Sequence, residues 1–417
     1  MNILILNLHS ALNLGDDAIM IETLQSLRIA FPESTITIAA NDPASWRKYD
    51  HVQVIGSLTT WVVNSKDGRW RWQKPLLLWY AGLITLTIIL YCLFHVRLLF
   101  GSHEQRKLLS AYYNANVVLS CGGGNFYAHR SISPGLIWSS LTLALAIFFG
   151  KKVVMLPQSI GPIKGKFQRL LMRTLLNHIS LIMLRENRSL SLLNELGVRQ
   201  PAIVLADLAF GHLPTVDTPL LAQLANDGSL RIGVTVLDWA AQEKSFHRQE
   251  IYENAIVSLF TKLSHNYKIH GYIFVQCYGP TIDQDDRYIA QRIYQRLLKE
   301  TNQVQVTLLD TFKGALEIRT LYKQMDCMIG TRMHTGIFCL SQAVPIVLIG
   351  YQPKAYGIME LFGLERFCCN IETMTEDELS KIVGEALENR TELKNHMTER
   401  YIHVQKLLGN WVGYLKD

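Results

Sequence analysis

The run CMIGTRMHTGIFCLSQAVPIVLI, residues 327–349, decides the fold. It opens on a short apolar strand, Cys327–Gly330, and passes through a polar turn, Gly330–Gly336. An apolar helix, Ile337–Gln342, and a second apolar strand, Pro345–Ile349, complete the unit. Strands that read as unbroken apolar runs are buried on both faces, as in parallel sheets covered by helices. The same rhythm continues outward. On the N-terminal side, strands are expected at Arg231–Leu237, Ile269–Gln276 and Val304–Leu309, with helices at Arg248–His265, Asp285–Glu300 and Ala315–Met325. Further back come strands Asn2–Asn7, Thr35–Ala39, Val52–Ile55, Val117–Cys121, Val153–Pro157, Leu181–Arg185 and Ala202–Ala206, with helices at Asp17–Phe31, Ile137–Phe149 and Phe167–His178. From Thr375 onward the chain reads as helical.

Between the two series lies GHLPTVDTPLLAQLANDGS, residues 211–229, whose Pro, Asp, Thr and Gly mark a linker. The expected organisation is therefore a domain over 1–210, a linker over 211–229, a domain over 230–390 and a helical tail over 391–417. The fold class is α/β, with two Rossmann-like doubly wound domains facing across a cleft. An apolar insertion at 61–110 interrupts the first.

Composition excludes several classes. With 49% apolar and 18% charged residues the chain is not disordered. The net charge of +6 is concentrated in 61–110, where Lys66, Arg69, Arg71, Lys74, Arg97, Arg106 and Lys107 face only Asp67 and Glu104. The nearly neutral remainder argues against a nucleic-acid binder. The seven cysteines form no CxxC pair and no His/Cys cluster, so neither a metal centre nor a disulfide framework is expected. Their scattered apolar contexts suit a reducing compartment.

In doubly wound sheets ligands bind outside the carboxyl ends of the strands. Five segments there carry unusual residues. The first, His9–Asp17, leads into a helix; Gly15 suits a tight turn and Asp16 a helix cap, so a plain capped turn is the ordinary alternative. The second holds three consecutive glycines, Gly122, Gly123 and Gly124, before Asn125; such a run implies close approach of a ligand or of another backbone. The third, Pro157–Pro162, offers Gln158 and Ser159 to a polyol or phosphate, or is a rigid turn. In the fourth, Arg185 closes an apolar strand and needs an anion, with Glu186 beside it as the ordinary partner. The fifth, Gly330–Gly336, sets Arg332 at a helix N-terminus and His334 two residues on, an arrangement suited to an anion and a general acid or base.

Taken together, these motifs resemble the polysaccharide pyruvyl transferase family. The matching blocks are NLHSALNLGDDAI (7–19), CGGGNF (121–126), PQSIGP (157–162), MLRENRSLSLLNELG (183–197), ADLAF (206–210) and GTRMHTGIFCLSQAVPIVLIGYQPKAYGIMELFG (330–363). The resemblance implies the two-domain GT-B architecture, phosphoenolpyruvate as donor, and a pyruvate ketal formed on a sugar of a cell-surface polysaccharide or its lipid-linked precursor. It assigns the donor to Arg185, Arg332, Met333 and His334, with Gly122, Gly123 and Gly124 alongside. His334 is then the acid, Asp16 or Asp207 the base, and Asn13, Asn125 and Gln158 ligands for acceptor hydroxyls. No cofactor or metal is required, and a homo-oligomer is left open. Two other readings stay open: a glycosyltransferase of the same fold using a nucleotide sugar, and a non-catalytic, membrane-bound assembly factor of polysaccharide synthesis.

The insertion lies outside the resemblance. Its stretch Pro75–Phe94, PLLLWYAGLITLTIILYCLF, is 20 residues without a formal charge, long enough to cross a bilayer. The chain start, MNILILNLHS, lacks the basic region and cleavage site of a signal peptide. If strands on either side of the insertion share one sheet, a single crossing is excluded. A re-entrant hairpin over 75–100, or a helix lying in the membrane plane, is then expected. Trp70, Trp72, Arg71, Lys74 and Arg97 would anchor it to the cytoplasmic face of the inner membrane. A buried helix or a dimer contact is the alternative.

Overall fold

The computed structural model describes residues 1–66, 69–128, 130–301 and 304–416. The chain divides into two compact units, each built on a parallel sheet. The first comprises Met1–Ala11, Ile19–Leu208 and Leu407–Asp417, and the second Leu12–Ala18 and Ala209–Lys406.

In the first unit the strands are β1 (Asn2–Leu8), β2 (Thr35–Ala40), β3 (Gln53–Gly56), β6 (Val117–Ser120), β7 (Gly123–Ala128), β8 (Lys152–Ile163), β9 (Leu181–Leu184) and β10 (Ala202–Val204). A separate hairpin, β4 (Val63–Lys66) and β5 (Arg69–Trp72), stands outside this sheet. The sheet runs β10-β9-β8-β6-β1-β2-β3 with every pairing parallel. The second unit holds β11 (Leu230–Thr235), β12 (Ile269–Phe274), β13 (Gln305–Leu309), β14 (Cys327–Gly330), β15 (Ile346–Gly350) and β16 (Cys368–Asn370), in the parallel order β13-β12-β11-β14-β15-β16. Both sheets contain the doubly wound order 3-2-1-4-5-6, extended by a seventh strand, β10, in the first, and the reversal point lies between the first and fourth strands. That point falls between β1 and β6 in one sheet and between β11 and β14 in the other. The cause is legible in burial: β6, β14 and β15 are buried at every position. Such strands are stable only with helices on both faces.

Several expectations change. The glycine run and PQSIGP, both read as loops, are paired strands: β7 lies parallel to the outer half of β8, with Gly123 opposite Gln158 and Phe126 opposite Ile160. Segment 211–229 belongs to the second unit, where the Thr218 hydroxyl donates to Glu317 (2.6 Å) and the Ala225 N–H to the Tyr272 hydroxyl (2.7 Å). The tail is divided. The helix Arg390–Leu408 lies largely in the second unit, while Leu407–Asp417 lies in the first, with Trp411 buried.

The insertion forms one unbroken helix, Lys74–Phe94, rather than a hairpin. Pro75 sits in its first turn, where a missing N–H breaks no intrahelical bond. The helix ends at His95 (φ 53°), whose N–H reaches the Leu90 and Tyr91 carbonyls. One stripe, comprising Tyr80, Ile84, Thr87, Ile88 and Tyr91, faces the first unit; Ile84 and Thr87 are wholly buried. Gln105 donates to the Tyr80 hydroxyl (2.8 Å), and the Tyr91 ring packs on Phe149 at 4.7 Å. Leu78, Trp79, Leu86, Ile89, Leu93 and Phe94 are exposed. Trp72 packs against the apolar core and so anchors the segment to protein, while the Trp70 side chain lies outside the described residues. Because β1 and β6, on either side of this helix in sequence, are neighbours in one sheet, the helix does not carry the chain across a bilayer.

Candidate functional site

In the second unit the polar residues gather at the reversal point of the sheet. Arg332 follows β14 in extended conformation and caps the helix Met333–Leu340. Its Nε and Nη2 grip Asp286 through both carboxylate oxygens, at 3.0 and 2.5 Å, and Nη2 also reaches the Gln284 carbonyl at 3.4 Å. This planar fork fixes the guanidinium. None of the described hydrogen bonds uses Nη1, and 12% of the side chain is exposed against 2% for Asp286. Burial pushes the Asp286 carboxyl up to about 6, against the opposing pull of Arg332. The guanidinium is held protonated by the carboxylate beside it.

His334, 8% exposed, lies in the first turn of the same helix as the buried Met333. Its imidazole occupies the space above Gly15, where any Cβ would overlap the ring. Gly15 does not have a positive φ. Space for His334, rather than a tight turn, is therefore what requires glycine there. The 12–17 segment is tied to the sheet by the Leu14 N–H to the Gln276 carbonyl (3.1 Å) and the Tyr278 N–H to the Leu12 carbonyl (2.9 Å). Asn13 takes part at the helix start, accepting from the Gly15 N–H at 3.1 Å. Asp16 sits half-buried in the first turn, and Asp17 accepts from the Ala315 N–H at 2.9 Å. Beneath Arg332 and His334 runs a buried network. Thr335 donates to the Gln276 side-chain oxygen (2.6 Å), Tyr322 donates to the same oxygen (3.0 Å), and Thr331 bonds the Tyr252 hydroxyl (2.8 Å). Burial pushes the Cys277 thiol up to about 12, which keeps it neutral and a poor nucleophile.

The first unit repeats the theme at its own reversal point and beyond. Arg185, just past β9, pairs through Nη1 with Asp207 (2.5 Å), and its Nε donates to the Ser159 hydroxyl (2.8 Å). Both partners are buried, at 3% and 1% side-chain exposure. The carboxylate that meets Arg185 is thus Asp207. Glu186 instead accepts from the Ser189 hydroxyl (3.0 Å). The three glycines have three separate causes. A Cβ on Gly122 would stand 2.6 Å from the Pro157 carbonyl, Gly123 has φ 133°, and a Cβ on Gly124 would meet nothing nearer than Arg185 Nη2 at 4.0 Å. Asn125 donates to the Asn7 carbonyl at 2.7 Å. Gln158 is fully buried, and neither its amide nitrogen nor its amide oxygen has a hydrogen-bond partner.

Each expected site residue thus lies in one of two local groups. Asn13, Asp16, Arg332, Met333 and His334 are in the second unit; Gly122, Gly123, Gly124, Asn125, Gln158, Arg185 and Asp207 are in the first. Sequence reasoning missed Asp286, Gln276 and Thr335. The acidic pair Asp285-Asp286 at the start of a helix was the one available signal for the first of these.

The sequence matches the model of the polysaccharide pyruvyl transferase family over residues 13–353. It is 27% identical over 299 residues to the amylovoran biosynthesis protein AmsJ of Erwinia amylovora, which spans 69% of each chain. Among solved structures, the UDP-GlcNAc 2-epimerase of Neisseria meningitidis superposes with a TM-score of 0.59 at 12% identity, covering 100% of this chain and 98% of that one. MurG of Acinetobacter baumannii gives 0.53 at 10% identity, covering 98% of each chain. Anabaena Alr3699/HepE, solved with UDP-glucose, gives 0.54 at 14%, covering 100% and 98%. At such identities the likeness is one of fold: the GT-B architecture of glycosyltransferases and epimerases.

Proposed function

Because the chain belongs to the polysaccharide pyruvyl transferase family, we propose that it moves pyruvate from phosphoenolpyruvate onto two hydroxyls of a polysaccharide sugar or its lipid-linked precursor. The observation that carries the reading is Arg332, fixed by Asp286 along one edge, beside a buried histidine at the same helix N-terminus. Guanidinium, backbone N–H groups and helix dipole converge on an anion there. Phosphoenolpyruvate carries two anionic groups and an enol carbon that must accept a proton.

In this scheme His334 gives its proton to the C3 methylene, and C2 becomes electrophilic. A sugar hydroxyl adds to C2 and returns its proton to the enzyme. The C2–O bond to phosphate then breaks, inorganic phosphate leaves, and a second hydroxyl closes the ketal, its proton leaving with the phosphate. General acid catalysis of this kind contributes about 10²–10⁴ in rate. Asp16, one residue from Gly15, is the proposed base. Asp207 is a poor one, because its carboxylate is buried and already engaged by Arg185 Nη1. The unmatched amide of Gln158 supports a hydroxyl ligand in the first unit: burying it without a partner costs free energy that a bound sugar hydroxyl would recover. Asn125 offers a further contact. Asn13 is assigned to the helix start rather than to acceptor.

We propose in addition that the exposed stripe Leu78, Trp79, Leu86, Ile89, Leu93 and Phe94 rests on an anionic membrane surface. Charge complementarity favours this occupant. From Arg69 to His103 there are four Lys or Arg and no carboxylate, so two copies meeting through this face would oppose like charges. Each cation near an anionic leaflet is worth about 1 kcal/mol. Sedimentation with vesicles of anionic or neutral lipid tests this: pelleting with anionic vesicles is expected, and a protein that stays in the supernatant with both refutes it.

The function is tested by acceptor-dependent phosphate release from phosphoenolpyruvate, across lipid-linked and nitrophenyl sugars. Release with at least one acceptor is expected. Tight binding of a nucleoside diphosphate, with no calorimetric response to phosphoenolpyruvate, would overturn the reading in favour of a nucleotide-sugar glycosyltransferase.

A further inference from the structure

Arg319 breaks a rule that the other arginines at comparable depth obey. Arg185 and Arg332 each meet a buried carboxylate. Arg319, 5% exposed on the helix Ala315–Tyr322, has none within ion-pair distance among the described residues. Its Nη1 donates to the Leu213 carbonyl, its Nη2 makes a long contact with the Ser341 hydroxyl (3.4 Å), and its Nε has no partner. Buried charges are ordinarily paired. The Leu213 carbonyl supplies only partial negative charge.

The side chain is not sealed in. It lines an open depression of about 320 Å³, together with Lys323, Ser341, Gln342, Thr398 and Tyr401. That volume suits a small ligand. Lys323 is exposed and adds a second cation. Gln342 uses its amide nitrogen on the Arg319 and Phe338 carbonyls (2.9 and 3.0 Å), which leaves its buried side-chain oxygen as an acceptor without a donor. A bare dianion could satisfy the guanidinium but not this oxygen, which needs a hydroxyl.

We propose that this depression binds a phosphorylated polyol such as a sugar phosphate. The phosphate sits between Arg319 Nε and Lys323, and a sugar hydroxyl donates to Gln342 Oε1. The site is separate from the one proposed for catalysis. Ser341 and Gln342 follow the C-terminal end of the helix Met333–Leu340, whose other end carries Arg332 and His334. Eight residues put the two ends about 12 Å apart. The depression therefore lies toward the amino-terminal edge of the sheet, where β15 begins.

Calorimetry on the full chain, with glucose 6-phosphate and inorganic phosphate as probes, tests the proposal. Wild type and Arg332→Gln are expected to bind glucose 6-phosphate alike, and inorganic phosphate more weakly. Arg319→Gln should abolish binding. Lys323→Gln, an exposed change that leaves the fold intact, should weaken it about tenfold, the loss expected for one charge-assisted contact. The proposal is overturned if wild type binds neither probe, if Lys323→Gln binds as wild type does, or if binding disappears in Arg332→Gln.

Discussion

The two arginine–carboxylate pairs at the carboxyl ends of the sheets look equivalent in composition and differ in geometry. Arg185 meets Asp207 through a single nitrogen and spends Nε on Ser159, and almost nothing of the pair reaches solvent. Arg332 meets Asp286 through a planar fork along one edge and keeps the other edge out of the described hydrogen bonds, beside a histidine and a helix start. A pair closed off from solvent, with Nε and Nη1 of its arginine held by Ser159 and Asp207, braces the strands it joins. A fork committed on one side only is a held cation able to receive a ligand. The difference is the reason the proposed chemistry is placed at the Arg332 group.

His334→Asn should have the largest effect on catalysis, lowering kcat by about 10²–10⁴ while phosphoenolpyruvate still binds by calorimetry. Removing the carboxylate partner separates the two pairs next. Asp207→Ala leaves Arg185 buried and uncompensated and should cost about 3–5 kcal/mol in urea denaturation. Arg332→Lys, which keeps the charge but loses the fork, should instead raise the KM for phosphoenolpyruvate about tenfold with little change in the urea midpoint. Gly15→Ala should leave the helix intact, since its φ is ordinary, yet displace the His334 ring and reduce kcat at least about tenfold. The smallest effect is on pH. The Asp286 carboxyl is raised to about 6 when folded, so between about pH 4 and 6 the folded state holds a proton that the unfolded chain has lost. Stability should fall as pH rises through that window, with a slope of about one proton, and Asp286→Asn should remove that slope.

Most strands of both sheets were legible because burial on two faces writes a continuous apolar run, as in Cys327–Gly330 and Ile346–Gly350, but the three-residue edge strand Cys368–Asn370 is too short to write one and was missed. β7 and the outer part of β8 were not, because glycine and proline argue against strand while the pairing that overrides them is tertiary. Adjacency misled at Arg185. In extended chain neighbouring side chains point apart, so Glu186 turns away and a carboxylate 22 residues on takes the place. Asp286 lies 46 residues before Arg332, and only the closing of the sheet brings them together. Apolar length announced the helix Lys74–Phe94, but not that one stripe packs on the first unit while the other stays exposed.

The proposed transfer of pyruvate at the Arg332–His334 group turns on protonating the enol carbon of phosphoenolpyruvate. Its most direct test is the mass of product formed in D2O by wild type and by His334→Asn. Wild type should add one pyruvyl unit per acceptor with a single deuterium in its methyl group, and the variant should form product at least about 10²-fold more slowly. Product of the same mass formed by the variant at the wild-type rate, or no pyruvylated product from wild type with any acceptor, would contradict the claim.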